Sequence, residues 1–240
     1  MLEENHKKEL QILCKKMAII ACIVFGTIGG IAGCAYVIYK LSYPSTTFNY
    51  KVTINVETSK GLKSGFAVRQ IHMYRKPMVL TSRRGYAKVR GEAVVIDMGE
   101  CGLIYNILQV DPYREVLNSF NPSGGLTSEA IKEYAKKPIG TKVSLAKDQM
   151  FLVYFDSIDD FRTVHVLRDK EDYIKCDIGN IEGSLEITDL PISENPPQML
   201  PVFGNSEEYV DWIADIPMSD PRHSISPMSF RRIITAPSRE

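Results

Sequence analysis

From Met17 to Tyr39 the chain reads M-A-I-I-A-C-I-V-F-G-T-I-G-G-I-A-G-C-A-Y-V-I-Y, without one charged side chain. A helix rising about 1.5 Å per residue over roughly 23 residues crosses the roughly 30 Å hydrocarbon core of a bilayer. It also satisfies its own backbone hydrogen bonds, which lipid cannot do. Tyr36, Tyr39 and Tyr43 cluster at its exit, where amphipathic rings favour the interface. Lys7, Lys8, Lys15 and Lys16 precede the run, whereas Lys40 and Lys51 follow it. That asymmetry predicts a single-pass protein of the cytoplasmic membrane, with its N-terminus in the cytoplasm and its main domain in the periplasm.

A second reading competes. Ile31-Ala32-Gly33-Cys34 has the form of a bacterial lipobox, which makes Cys34 the candidate lipidation site and the new N-terminus. The long charged leader and the apolar residues beyond Cys34 favour an uncleaved span. Within the run, Gly26, Gly29, Gly30 and Gly33 form two overlapping G-x-x-x-G patterns. Small residues at this spacing let two helices approach closely, so this is the candidate face for self-association or for a membrane-protein partner. The plainer reading is that glycine is frequent in membrane helices.

The expected organisation is a charged cytoplasmic leader (1–16), the membrane helix or signal anchor (17–39), a linker (40–46), a globular domain (47–216) and a disordered tail (217–240). The tail reading rests on Pro and Ser without periodicity after Pro217. Phe230-Arg231-Arg232-Ile233-Ile234 within it is a candidate binding arm. Roughly 160–170 residues suffice for one sizeable core. Hydrophobic residues make up 44% and charged residues 24%, which is a globular composition. With 29 basic and 29 acidic residues the net charge is +0, so nothing favours a nucleic-acid partner.

The domain reads as mainly β, a β-rich α+β fold of antiparallel hairpins. Phe48, Tyr50, Val52, Ile54 and Val56 alternate with polar residues as a half-buried strand. Residues 66–74 return antiparallel to it, 86–98 form a long strand, and 103–110 pair back across Gly99-Glu100-Cys101-Gly102. A short helix is expected over 111–117. Thr127 or Ser128 caps another that runs to about Lys136 and stops at Pro138. Residues 142–146 and 150–155 read as a hairpin, 169–173 as a short helix, 184–188 as a late strand and 207–213 as a helix carrying Trp212.

Candidate chemistry is sparse, and no cofactor or metal site is expected. Ser144 and Lys147 match S-x-x-K, but that nucleophile needs a helix and this stretch reads as strand into turn. Asp156, Asp159 and Asp160 lack the Gly and distal Glu of a calcium loop and fit a turn capped by Asp. His72 and His165 have no neighbouring Cys, Asp or Glu at a spacing that would bind metal or orient the ring, and Glu92 and Asp97 face opposite sides of one strand. Of five cysteines only Cys101 and Cys176 fall in the domain. They are the candidate disulfide in an oxidising compartment, or two buried thiols acting as small hydrophobes, the plainer reading.

Several segments resemble a known family: residues 50–58, Gly61-x-x-x-Gly65, residues 89–99, Leu152 to Asp159 with Thr163-Val164, and Leu185 to Asp189. Their order and spacing are similar to a family of uncharacterised proteobacterial envelope proteins, small lipoproteins or single-span membrane proteins with a β-rich domain. The resemblance covers most of residues 47–203 and rests on strand motifs. It implies an envelope location and a comparable fold, and it implies no activity. The charged leader, the tail past Pro217 and Asp159-Asp160 in place of Asp-Pro depart from it. The favoured expectation is a non-enzymatic binding or assembly module. The alternative is an envelope hydrolase acting on cell-wall or peptide substrates, which needs a cleft gathering Glu92, His72 and Asp156.

Overall fold

The computed structural model describes residues 17, 23, 25–76, 85–108, 113–120, 125–168, 170–194, 199–203 and 206–232. The chain divides into two units, Met1–Pro44 and Ser45–Glu240. In the first, residues 25–42 are helical (α1). Residues 1–16, 18–22 and 24, and with them the leader and part of the apolar run, lie outside the described residues. No helix among the described residues is long and apolar enough to cross a membrane.

The expected linker over 40–46 is shorter than the sequence suggests. The helix continues past Tyr39, whose carbonyl accepts from Tyr43 N–H at 2.9 Å, and Pro44 is followed at once by strand β1, Ser45–Thr58. Proline cannot extend the helix.

The second unit is a β-rich α+β fold with two antiparallel sheets. In β1 the even residues from Tyr50 to Val56 are fully buried, as their alternation requires. Strand β2, Gly61–Arg75, folds back on β1 in register from Thr58↔Gly61 to Ser45↔Tyr74. Strand β3, Gly85–Glu92, lies along the far half of β2. Strand β9, Asn180–Thr188, covers the other edge of β1 and in turn pairs with β6, Lys142–Leu145. The two-residue β10, Arg231–Arg232, closes the order β10-β3-β2-β1-β9-β6.

The second sheet has the order β4-β5-β7-β8: Val94–Asp97, Leu103–Asn106, Leu152–Phe155 and Val164–Val166. Both of its faces are covered. Val94, Ile96, Ile104, Leu152 and Tyr154 join the large core shared with the first sheet. Two helices close that core, α2 (Tyr113–Phe120) and α3 (Ser128–Tyr134). Tyr105, Val153, Phe155 and Val164 face a second core. That is why all four residues of β7 are buried and why its sequence is continuously apolar. Thr127 caps α3 through Ala130 N–H, as its sequence predicts.

Three expectations are corrected. Residues 86–98 are two strands in different sheets, not one. Gly91, at φ +140° and against Arg69, turns the chain, so β3 stays in the first sheet while β4 opens the second. Residues 142–146 and 150–155 are not a hairpin, because β6 pairs with β9 and β7 with β5 and β8. Finally, residues 217–232 belong to the domain, while 233–240 lie outside the described residues. Helices α4 (Lys170–Lys175), α5 (Ser206–Asp215) and α6 (Pro227–Phe230) complete the fold, and α6 feeds β10.

The tail folds because the second sheet's outer face must be covered. Ile225 and Phe230 are buried there, with the Phe230 ring 5.3 Å from Tyr105 and Phe203 and 5.7 Å from Phe155. Backbone bonds anchor it: Ala93 N–H donates to Phe230 O at 2.8 Å and Leu108 N–H to Ser229 O at 2.7 Å. Phe230→Ala is expected to cost about 3 kcal/mol of stability, read as a lower denaturation midpoint. An unchanged midpoint shows that the tail is not part of the core.

Candidate functional site

Three places gather polar chemistry. The first is a buried charge centre where the two sheets meet. Arg69 lies on β2 in phase with Ala67, Ile71 and Met73 and is fully buried. Its Nη1 donates to both carboxylate oxygens of Glu115 on α2, at 2.8 and 3.1 Å. Its Nε donates to Glu92 O at 2.9 Å, and its Nη2 to Asn106 O and Oδ1 at 3.0 and 3.4 Å. Five contacts match the five N–H donors of a guanidinium. Tyr50 O–H adds a bond to Glu115 at 2.9 Å. Burial works against the charge of Arg69, yet Glu115 and Tyr50 outweigh it and the guanidinium is held more firmly protonated than usual. Burial, then the Glu115 charge, pushes the Tyr50 hydroxyl well above its ordinary value. Glu92, also buried, pairs with Arg231 of β10. This centre ties β1, β2, β3, β5, α2 and, through Glu92, the C-terminal strand. Arg69, Tyr50 and Asn106 at its heart are closed to solvent, while Glu92 and Arg231 line a groove at its edge.

The second place is an exposed cluster beside the joined cysteines. His165 on β8 stacks on Tyr154 of β7, ring centroids 4.8 Å apart, and its Nε2 meets Asp156 Oδ2 at 2.8 Å. Lys175 of α4 donates to Asp156 Oδ1 at 3.1 Å and sits 5.1 Å over the Tyr154 ring. Tyr154 O–H donates to Asp172 at 2.9 Å. The hydrogen bonds from His165 and then Lys175 hold the Asp156 carboxyl below the usual range. A carboxylate orienting an imidazole is half of a hydrolytic triad. Among the described residues, no hydroxyl or thiol bonds to the His165 ring. The cluster links Asp172 and Lys175 of α4 to the second sheet as an exposed clamp. A groove of about 280 Å³ opens beside it, lined by Glu100, Cys101, Gly102, Tyr154, Phe155, Asp156 and Lys175.

Sequence reasoning missed both places. The Asp156–His165 contact contradicts the expectation that His165 has no acidic neighbour. The β7–β8 register, Phe155↔Val164, brings together residues nine apart in sequence. Glu92 is equally unlike its expected position, since it turns inward where β3 breaks.

Cys101 and Cys176 are placed together as the candidate disulfide, their Cα atoms 5.3 Å apart. Cys101 ends the turn after β4 and Cys176 follows α4, and the fold brings these ends together. Cys34 is a free, exposed thiol on α1. Gly26, Gly29, Gly30 and Gly33 lie on that helix with nothing within 4 Å of an added Cβ.

The remaining candidates separate. Lys147 bonds Asn180 at 3.0 Å, and Ser144 lies on β6 paired with Ser184. Asp160 accepts from Arg162 N–H in a capped turn, as expected. Among the described residues, no three His, Cys, Asp or Glu side chains are placed to hold a metal ion. Glu92, His72 and Asp156 are not brought together. Glu92 is buried against Arg231, His72 bonds Thr47 at 2.7 Å on the open face of the first sheet, and Asp156 belongs to the clamp.

The third place is that open face, where His72, Tyr74 and Tyr86 stack in a row. The ring centroids lie 5.0 Å apart from His72 to Tyr74 and 5.4 Å apart from Tyr74 to Tyr86. Lys76 Nζ lies 5.7 and 5.8 Å over the two tyrosine rings. Burial and the nearby charge of Lys88 hold the His72 ring below its ordinary pKa. No family model, no curated protein and no solved structure matches this chain.

Proposed function

We propose that the chain is a binding or assembly module of the bacterial cell envelope, a β-rich domain held at the periplasmic face of the cytoplasmic membrane by its N-terminal apolar run. The observation that carries this reading is the Cys101–Cys176 bond. Structural disulfides persist in oxidising compartments and are rare in the cytosol. The uncharged run and the lysines before it point to the same side of the membrane. The family resemblance points to the envelope as well. The interior chemistry serves cohesion, so the outer surfaces and the Gly26–Gly33 helix face are where a protein partner or a second copy would bind.

Two measurements on the full chain test this. It is expected to stay in the membrane fraction through alkaline carbonate extraction, and protease added to spheroplasts is expected to digest the domain. Release by carbonate, or a domain protected until the spheroplasts are lysed, overturns the proposal. An intact N-terminus by mass spectrometry retains the uncleaved span and excludes lipidation at Cys34.

A further inference from the structure

The open face of the first sheet carries more than a row of rings. Lys76 and Lys88 are exposed there, and among the described residues neither makes an ion pair with a carboxylate. The register sets where this patch sits in the domain. Ser45, the first residue of β1, is opposite Tyr74, Thr47 is opposite His72, and Tyr86 is opposite Tyr74 on the other side. The patch therefore lies at the end of the sheet where the chain enters the domain. Six steps along the chain lead from Tyr39, the last residue of the uncharged run, to Ser45, a reach of at most about 20 Å.

We propose that this end of the sheet, through Tyr74, Tyr86, Lys76 and Lys88, docks on the anionic headgroup surface of the membrane that holds the tether. The inference rests on the tethered reading above and names what the domain's entry end contacts. Tyrosine favours the headgroup level, where its ring meets acyl chain and its hydroxyl meets water. Lysines near a surface of anionic lipid gain from its negative potential within a Debye length. The short covalent tie makes docking intramolecular, so a small gain suffices. Each lysine favours the docked state about fivefold, and the pair about twenty-five-fold.

The test uses the full chain reconstituted in nanodiscs of phosphatidylcholine alone or with phosphatidylglycerol, with lysine acylation rates followed by mass spectrometry. Lys76 and Lys88 are expected to react about tenfold more slowly in the anionic discs. Lys147 and Lys170, exposed elsewhere on the domain, should be unchanged. High salt should remove the difference. Equal rates for Lys76 and Lys88 in both discs overturn the docking, and so does equal slowing of all four lysines. Alkaline carbonate extraction of the same discs separates the two proposals. A chain that stays with the lipid but shows no selective protection fails only the docking, whereas a chain released by carbonate fails both.

Discussion

Arg69→Met is expected to remove about 3–5 kcal/mol of stability, a large share of the total for a domain of this size. The cost does not come from the lost attraction alone. Methionine fills much of the arginine's volume, so little cavity forms. Instead the Glu115 carboxylate loses its cation in the core and, among the described residues, keeps only the Tyr50 hydroxyl as a partner. The carbonyls of Glu92 and Asn106 each lose one donor in the same step, at the junction where β3 leaves one sheet and β5 runs in the other. Arg69→Met/Glu115→Leu removes both charges. A buried pair replaced by apolar residues of similar volume is often neutral. The double variant is therefore expected to recover most of the loss, with a coupling energy of about 2–3 kcal/mol between the two sites. Denaturant midpoints and slopes of the full chain in detergent supply all four corners of the cycle. Additive losses would show that the two side chains act separately and that the centre is not a charge pair.

The same residue shows what the sequence discloses and what it hides. Strands β1, β2 and β9 were legible because one face is buried and the other open, and alternation with period 2 records that. Arg69 was legible in principle, since it stands in phase with Ala67, Ile71 and Met73. Its partners were not, because Glu115 lies 46 residues away and Asn106 37. The break at Gly91 was hidden by strong strand formers on both sides, and only its positive φ marks the change of sheet. The hairpin expected at 142–155 failed for a related reason. Proximity in sequence favours a local pairing, but β6 and β7 each found a longer-range edge. The tail misled most. Its Pro and Ser content describes a segment without periodicity, while two buried side chains, Ile225 and Phe230, and the backbone bonds from Ala93 and Leu108 seat it. At the surface, the His165–Asp156 contact depends on a register that no spacing rule anticipates.

Breaking the Cys101–Cys176 bond is expected to cost about 4–5 kcal/mol, because it closes a long loop and removes that much freedom from the unfolded chain. The two residues are 75 apart. The bond joins the turn after β4 to the end of α4. α4's side-chain ties to the rest of the domain include the exposed clamp of Lys175 on Asp156 and the Tyr154 bond to Asp172. Exposed ion pairs contribute little, so α4 depends chiefly on the covalent link and on Cys176 in the core. Cys101→Ala is the cleaner variant, since Cys101 is half-buried whereas Cys176 is 3% exposed and its loss adds a packing defect. The oxidised protein should therefore unfold at a clearly higher denaturant concentration than either the reduced protein or Cys101→Ala, and those two should nearly coincide. Alkylation provides an independent check on the same link. In native protein prepared without reductant, Cys101 and Cys176 should not react, and reduction after unfolding should expose both. If Cys101 and Cys176 react before reduction, the bond is absent in the purified chain, and the compartment argument built on it falls with the stability argument.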